Sequence, residues 1–248
     1  MEVLLGFALL ACCLAAALTV PTGFGLATMI TPIFLLWFEP HHAIAGVAIV
    51  HGAHNGMKAF MLKSHIGREA IQRFGLMLIF GAGCGALLQS YIPSTPLLFL
   101  VGLTLVVLPL LTMSASWSDF RLPASYDQAG GFASGLLGGL TGHQGALRAM
   151  FLKQRVVEKT QYAATAATLA LIVDMVRVPL YMWQDASILG AQPWLLLGFI
   201  LAALFGARLG KTWLEQWKSD TIHHWILFCL VASGVLYMAE AVMAVSSP

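Results

Sequence analysis

The sequence predicts an all-α membrane protein, a polytopic helical bundle of two homologous, inverted repeats of four segments, each with one broken helix. Three observations support this fold. Of the 248 residues, 59% are hydrophobic and only 10% are charged, whereas soluble domains carry roughly 25% charged residues. Long apolar stretches recur along the whole chain. Two of these stretches are interrupted by glycine-rich runs at corresponding places in the two halves.

The composition also limits the partners of the protein. A net charge of +2, with Lys and Arg scattered along the chain, does not provide the dense basic surface that nucleic acid requires. The cysteines lie in apolar runs without the spacing of metal ligands. They are Cys12, Cys13, Cys84 and Cys229. We therefore expect a lipid bilayer as the main partner, no nucleic acid and no cofactor, and the sequence leaves homo-oligomerisation open.

Six unbroken stretches are long enough to cross a membrane, since a helix needs about 20 apolar residues to span the hydrocarbon core. They are Ala43 to Leu62, Phe74 to Tyr91, Pro96 to Met113, Tyr162 to Trp183, Trp194 to Leu214 and Ile222 to Ala244. Each is predicted to form one transmembrane helix.

Two further apolar stretches are broken. The stretch from Val3 to Phe38 is interrupted between Thr19 and Gly25, where Pro21 removes a backbone donor. The stretch from Gly130 to Leu152 is interrupted between Gly138 and Gly145. Unwound backbone at membrane depth persists only where protein or a water-filled cavity satisfies its polar groups. The two breaks therefore predict an internal cavity.

The two halves of the chain correspond residue by residue. Four pairs share one separation of 119 positions: Gly23 and Gly142, Ala27 and Ala146, Asn55 and Asp174, and Lys58 and Arg177. We infer an internal duplication, with residues 1–113 as the first membrane repeat, 114–127 as a linker and 128–248 as the second membrane repeat. Interrupted helices at matching positions of two repeats point to the binding site of a transporter.

The basic residues predict the orientation of the repeats, because Lys and Arg concentrate in short cytoplasmic loops. Three basic clusters are present: Lys63, Arg68 and Arg73; Lys153, Arg155 and Lys159; and Arg208, Lys211 and Lys218. All three are cytoplasmic if each broken stretch is a re-entrant hairpin, so that each half crosses three times. The connections with Glu39 and Asp185 then lie outside. Alternatively, one broken stretch crosses and the other does not.

Charged residues within the apolar stretches indicate an anion site. Lys58 lies inside an apolar stretch, where a charge costs roughly 2.5 to 3.5 kcal/mol; it either extends to the interface or has a buried counter-ion. Asp174 precedes Arg177 by three residues and can pair with it, whereas the corresponding Asn55 is neutral. Arg148 has no nearby acid. The resulting excess of two positive charges favours a small anionic solute.

The glycine breaks add donors to this site. Half-helices that begin after Gly25 and Gly145 would direct free N–H groups and the positive end of the helix dipole into the cavity. The predicted substrate-binding residues are Thr22, Gly23, Gly25, Asn55, Lys58, Thr141, Gly142, Gln144, Gly145, Arg148 and Arg177. The alternative role of such glycines is close helix packing, which suits Gly81, Gly83 and Gly85.

Histidines within the membrane segments are candidates for proton transfer. His51 and His54 share one helical face with Lys58, and two His residues without a Glu make a weaker case for a metal. We therefore predict no metal site. The residues predicted to act in coupling or gating are His51, His54, His143 and Asp174.

These motifs resemble the sulfite exporter TauE/SafE family. The resemblance rests on Gly23-Phe24-Gly25 with Pro32, on the run from Gly135 to Arg148, on Ala164-Thr165 and on Asp174 to Tyr181. The second glycine motif differs from the usual one by its His143-Gln144. Membership implies a multi-pass protein of a bacterial inner membrane that transports sulfur-containing anions, such as sulfite or organosulfonates, and is not an enzyme.

The predicted function is therefore a secondary transporter, a permease or exporter of small anions, because inverted halves with paired breaks serve alternating access. One alternative is a membrane-embedded enzyme or metal-dependent protein that uses His51 and His54. Another is a channel or a structural subunit.

Overall fold

The computed structural model describes residues 2–22, 25–113, 122–185, 187, 193–213 and 220–246. These residues contain ten α-helices, two short 3-10 turns and no strand. The helices are α1 (Glu2–Thr22), α2 (Leu26–Phe34), α3 (Pro40–Met61), α4 (Arg68–Gln89), α5 (Ser94–Met113), α6 (Asp127–Leu140), α7 (Gly145–Arg155), α8 (Lys159–Gln184), α9 (Pro193–Trp213) and α10 (Asp220–Ser246). The predicted all-helical class is confirmed.

Six of the described helices are long and apolar enough to cross a membrane, namely α1, α4, α5, α8, α9 and α10. This set differs from the predicted one, because α1 is a full-length apolar helix and α3 is not in the set. Helix α3 has 22 residues, but His51, His54 and Lys58 lower its hydropathy. The protein is a multi-pass membrane protein in which α3 lies inside the bundle, packed against α2, α8 and α9.

Both interruptions are shorter than the sequence predicted. Helix α1 continues through Thr22 instead of ending near Thr19, and α6 continues to Leu140 instead of ending at Gly138. Packing of α1 against α9 and of α6 against α4 supports these last turns. The second break needs glycine at Gly142, whose φ of +87° lies in the left-handed region.

The second broken stretch forms a hairpin. The side chain of Arg155, at the end of α7, binds the carboxylate of Asp127, at the start of α6, with its Nε 3.0 Å from both oxygens. The ring of Phe151 lies against Gly130, and Gln144 lies against Gly138. Helix α7 therefore runs back along α6 and ends level with the start of that helix.

The first broken stretch turns back in the same way. The Nε2 atom of His54 lies 3.1 Å from the carbonyl oxygen of Ala16, and Nζ of Lys58 lies 3.5 Å from that of Thr19, so α1 and α3 are parallel. Phe34, at the end of α2, packs against Gly46 in the first half of α3. Helix α2 therefore runs antiparallel to both of its neighbours.

Helices α3 and α8 run antiparallel to each other. His42, near the start of α3, lies 2.9 Å from Asp185, just after α8. Nine residues further along α3, His51 lies 2.7 Å from Asp174. This arrangement agrees with an inverted duplication, because an axis in the membrane plane reverses the direction of equivalent helices.

Two tight helix crossings also correspond to each other. A Cβ atom at Gly81 of α4 would collide with the carbonyl oxygen of Phe132 in α6, and one at Gly206 of α9 would collide with that of Cys13 in α1. Phe132 follows Cys13 by 119 positions, which is the separation found for the glycine breaks. Small residues thus allow a close approach at both of these crossings, each of which joins a helix of the first half to one of the second.

The packing role predicted for three glycines of α4 holds for two of them. Gly81 and Gly85 both contact the backbone of α6. A Cβ atom at Gly83 would meet only the Val176 side chain, at an ordinary 3.9 Å. The prediction was wrong for Gly83, because successive glycines two residues apart point to different sides of a helix.

Contacts between helix ends place the basic residues together. Arg73 of α4 lies 3.7 Å from Asp127 of α6, which also binds Arg155. Gly210, near the end of α9, packs against Ala17 of α1. We call the end of the bundle where these residues lie the basic end. The start of α3 and the ends of α4 and α8 form the opposite end. The described basic residues at the basic end are Lys63, Arg68, Arg73, Lys153, Arg155, Lys159, Arg208 and Lys211, whereas Lys218 lies outside the described residues.

Large apolar side chains face outward and polar ones face inward. Phe7, Phe80 and Phe205 are all more than half exposed, as expected of side chains in contact with lipid. Interior positions are taken largely by alanines and by polar side chains from α3, α6, α7 and α8. This polarity places the candidate site at the centre of the bundle.

Candidate functional site

The two hairpins meet at their tips. A Cβ atom on Gly145 would lie 3.2 Å from the backbone nitrogen of Gly25 and 3.3 Å from its Cα. Gly25 immediately precedes α2, and Gly145 begins α7. Neither helix start has a side-chain cap hydrogen bond. The positive ends of two half-helices, with uncapped N–H groups, therefore lie side by side, which is a favourable setting for an anion.

Two buried cations lie beside these tips. Lys58 is 5% exposed and Arg148 is 6% exposed, and the two are close enough to repel each other. Nζ of Lys58 donates to the carbonyl oxygen of Thr19 at 3.5 Å, and Nη1 of Arg148 donates to the side chain of Gln144 at 3.0 Å. In the described part of the chain, neither cation has an acidic partner within ion-pair distance. Lys58 therefore does not extend to the interface, the alternative that the sequence left open.

Two polar atoms around these cations are unsatisfied. Nε2 of Gln144 and Nδ1 of His54 have no hydrogen-bond partner among the described residues. The other ring nitrogen of His54 donates to the Ala16 carbonyl, so Nδ1 accepts a hydrogen bond in the neutral ring and donates one only in the imidazolium form. An oxyanion would satisfy the Gln144 amide directly and the histidine after protonation.

Next to this cluster, the carboxylate of Asp174 binds two side chains. Its Oδ1 accepts from Nε of Arg177 at 2.9 Å, which is the pair predicted from the sequence, and its Oδ2 lies 2.7 Å from Nδ1 of His51. Arg177 also donates to the Gly138 carbonyl at 2.6 Å. The carboxylate thus neutralises Arg177. Lys58 and Arg148 provide the net positive charge of the described interior.

Two other predicted residues form hydrogen bonds to backbone carbonyl groups of the protein. The Asn55 amide donates to the His51 carbonyl at 2.9 Å, and the Thr141 hydroxyl donates to that of Leu137 at 3.2 Å. Both side chains are buried. The structure brings these residues to the edge of the cluster, where they hold local backbone.

His143 occupies a different environment from the other histidines. Its Nδ1 lies 2.7 Å from the Thr104 hydroxyl of α5, and its Nε2 lies 3.2 Å from the Thr31 hydroxyl of α2. Both ring nitrogens are therefore satisfied, and the ring links helices from two parts of the first half to the second hairpin. Gly23 and the side chain of Thr22, also predicted for the site, lie outside the described residues.

The alternative role of His51 and His54 in metal binding has no geometric support. Each ring directs a nitrogen at a different helix, toward Asp174 in one case and toward the Ala16 carbonyl in the other. Among the described residues, no group of three or more His, Cys, Asp or Glu side chains is placed to hold a metal ion.

Tyr181, which lies beside the Asp174 cluster, is not among the residues predicted for the site. Its phenol donates to the carbonyl oxygen of Gly139, beside the carbonyl that accepts from Arg177. The signal was its position four residues after Arg177, which places both side chains on one face of α8. Together they bind the last turn of α6 before the break.

A family model described as "Sulfite exporter TauE/SafE" matches residues 8–238, nearly the whole chain. No curated protein and no solved structure shows a significant match. The match includes both hairpins, both buried cations and the Asp174 cluster. The chain therefore belongs to the sulfite exporter TauE/SafE family, whose members are membrane transporters.

Proposed function

We propose that this protein is a secondary transporter of small sulfur-containing oxyanions, such as sulfite or organosulfonates, in a bacterial inner membrane. The observation that carries this proposal is the pair of buried cations, Lys58 and Arg148, beside the two half-helix starts at Gly25 and Gly145. The family supplies the sulfur chemistry, and the site supplies the preference for negative charge.

Electrostatics makes an empty site unfavourable. A buried charge without a partner costs several kcal/mol, and two like charges add repulsion. An oxyanion between Lys58 and Arg148 would offset both costs, and its oxygens would accept hydrogen bonds from the Gln144 amide and from the first N–H groups of α2 and α7. A neutral solute would offer none of this compensation.

The position of the site between the two halves supports alternating access. Lys58, His51 and His54 come from the first half, whereas Arg148 and Asp174 come from the second. All five side chains are at most 6% exposed, so the cluster is closed toward both ends of the bundle. A relative movement of two inverted halves would expose it to one side at a time.

We assign proton coupling to His54, with the His51–Asp174 contact linking the two halves. Because Nδ1 of His54 donates only when the ring is protonated, binding of an anion at this atom would take up a proton. His143, with both nitrogens satisfied by threonines, is a packing residue in this scheme.

Counterflow in proteoliposomes tests the proposal. Vesicles loaded with unlabelled sulfite should accumulate radiolabelled sulfite against its gradient, with saturation, whereas chloride-loaded vesicles should not. Thiosulfate and methanesulfonate, each tested as a competitor, would define the range of sulfur oxyanions. Flux that is linear in concentration would indicate a channel, and absence of flux with every sulfur oxyanion would contradict the proposal.

A further inference from the structure

A cavity lies at the end of the bundle opposite the basic end, between the start of α3 and the ends of α4 and α8. Its volume is about 180 Å³, which is room for a small oxyanion with a few waters. We call it the entrance chamber; the residues that line it include His42, Ala45, Gln89, Ser90, Tyr181 and Asp185.

The entrance chamber contains a buried donor without a partner. Gln89 is 3% exposed, and its Nε2 has no hydrogen-bond partner among the described residues. Its backbone carbonyl is already contacted by the ring of His41 at 3.3 Å, so the side-chain amide is the free group. Because an unsatisfied buried amide is costly, this atom is suited to a ligand oxygen.

At the mouth of the entrance chamber, a contact joins α3 to α8. Nε2 of His42 lies 2.9 Å from Asp185, and both side chains are at least one-third exposed. Hydrogen bonds from Ser187 and then from His42 lower the pKa of Asp185 to about 2, so the carboxylate is charged at neutral pH. An exposed pair of this kind contributes little stability and breaks easily. The mouth is therefore not a firm barrier.

The barrier between the entrance chamber and the buried cluster is one helical turn. Tyr181 lines the chamber, and Arg177 of the cluster precedes it by four residues, or about 6 Å along α8. Tyr181 belongs to the same buried apolar cluster as Ala48, which is fully buried about one turn after Ala45 on α3. Its phenol closes the gap by donating to the carbonyl of Gly139.

We propose that the entrance chamber is a second anion-binding site on the transport route, where Gln89 binds the solute and Tyr181 forms the gate to the buried cluster. This inference rests on the proposed function. During passage, the phenol leaves the Gly139 carbonyl and the last turn of α6 is released, which connects gate opening to movement of the second hairpin.

Cysteine modification tests the route in a protein whose four native cysteines have been replaced. Ser90→Cys lines the entrance chamber, and Tyr91→Cys, with 82% of the native side chain exposed next to it, is the matched control outside. A sulfonated maleimide should modify both variants. Modification should lower sulfite counterflow more than tenfold in Ser90→Cys and leave it unchanged in Tyr91→Cys. Full counterflow by completely modified Ser90→Cys protein would overturn the route.

Two further measurements test independently whether Gln89 binds the solute and whether Tyr181 is the gate. Gln89→Met should raise the KM for sulfite by about tenfold, the effect of one lost hydrogen bond, with no fall in thermal stability. Tyr181→Phe should increase the rate at which maleimide modifies Ala48→Cys by more than tenfold. An unchanged KM would remove Gln89 from the site, and an unchanged rate would remove Tyr181 as the gate.

These outcomes are distinguishable from failure of the proposed function. Unmodified Ser90→Cys protein must itself catalyse saturable sulfite counterflow. If it does not, and the native protein does not, the protein is not a sulfite carrier. If both the native protein and unmodified Ser90→Cys catalyse counterflow, and modification changes nothing, the protein is a sulfite carrier but the solute enters by another route.

Discussion

Replacement of Lys58 with Met removes one of the two buried cations while it keeps a flexible side chain of similar length. Among the described residues, Lys58 has no acidic partner within ion-pair distance, and its Nζ has one backbone contact, at 3.5 Å. The variant therefore loses no ion pair within the protein. Apart from the long contact with the Thr19 carbonyl, the interaction that it loses is the attraction to a bound anion, which makes the substitution a direct test of the site.

The size of the effect follows from the geometry. Two unit charges 4 Å apart interact by about 4 kcal/mol at an effective dielectric constant of 20, and removal of one partner of a buried charge pair costs 2 kcal/mol or more in binding. Since 1.4 kcal/mol corresponds to a factor of ten, we expect the Kd for sulfite to rise roughly 30- to 700-fold. The anion-free variant should melt at the native temperature or above it, since an uncompensated buried charge is removed.

Two assays measure these quantities on one preparation. Thermal unfolding in detergent, with and without sulfite, reports both the stability and the shift caused by the anion, and counterflow in proteoliposomes reports transport. Lys63→Met is the matched control, because Lys63 is exposed just after the same helix, with its ammonium 5.4 Å from the centre of the Phe60 ring. This control should bind and transport as the native protein does.

Two results would refute the reasoning. A Kd for sulfite within twofold of the native value would show that the ammonium group of Lys58 does not face the anion. A large fall in melting temperature with unchanged affinity would show that Lys58 is a structural residue, held by contacts other than charge.

Three further predictions concern the fold and the hairpin tips. Asp174→Asn should lower the free energy of unfolding by about 3 kcal/mol, because it leaves a buried guanidinium unpaired; thermal unfolding would measure this, and native stability would contradict it. Gly25→Ala, whose new methyl group meets only ordinary contacts, should weaken sulfite binding without loss of stability. The control Gly83→Ala should change neither binding nor stability. If a titration gave Gly25→Ala the native affinity for sulfite, the first hairpin tip would not be part of the site. Cysteines at Ser64 and at Val157, which is 91% exposed, should react with an impermeant maleimide from the same side of the membrane, and reaction from opposite sides would exclude the inverted arrangement.

Local features of the sequence determined the helices. The apolar stretches, the two glycine breaks and the pairing of Asp174 with Arg177 depend on residues within a few turns of one another, and the structure has all of them. The polarity of α3 was also evident in the sequence. The sequence did not show how such a polar helix is accommodated in a membrane, because hydropathy alone does not reveal that α3 lies inside the bundle.

The tertiary structure decided which polar groups are left without partners. His51 contacts Asp174 across 123 positions, and the backbones of Gly25 and Gly145 meet across 120; neither contact follows from hydropathy or spacing. Gln89 is an ordinary residue at a helix end until the packing of α4 buries its amide.

The physical reason is the range of the interactions. Helix formation is decided by hydrogen bonds four residues apart and by the transfer of side chains into lipid, which are local or additive properties of the chain. Whether Lys58 reaches the interface or faces an anion depends on burial by helices that are distant in sequence. Hydropathy and residue spacing therefore predicted a helical membrane protein with an excess of buried positive charge, and the packing of distant helices placed that charge where the two hairpins meet.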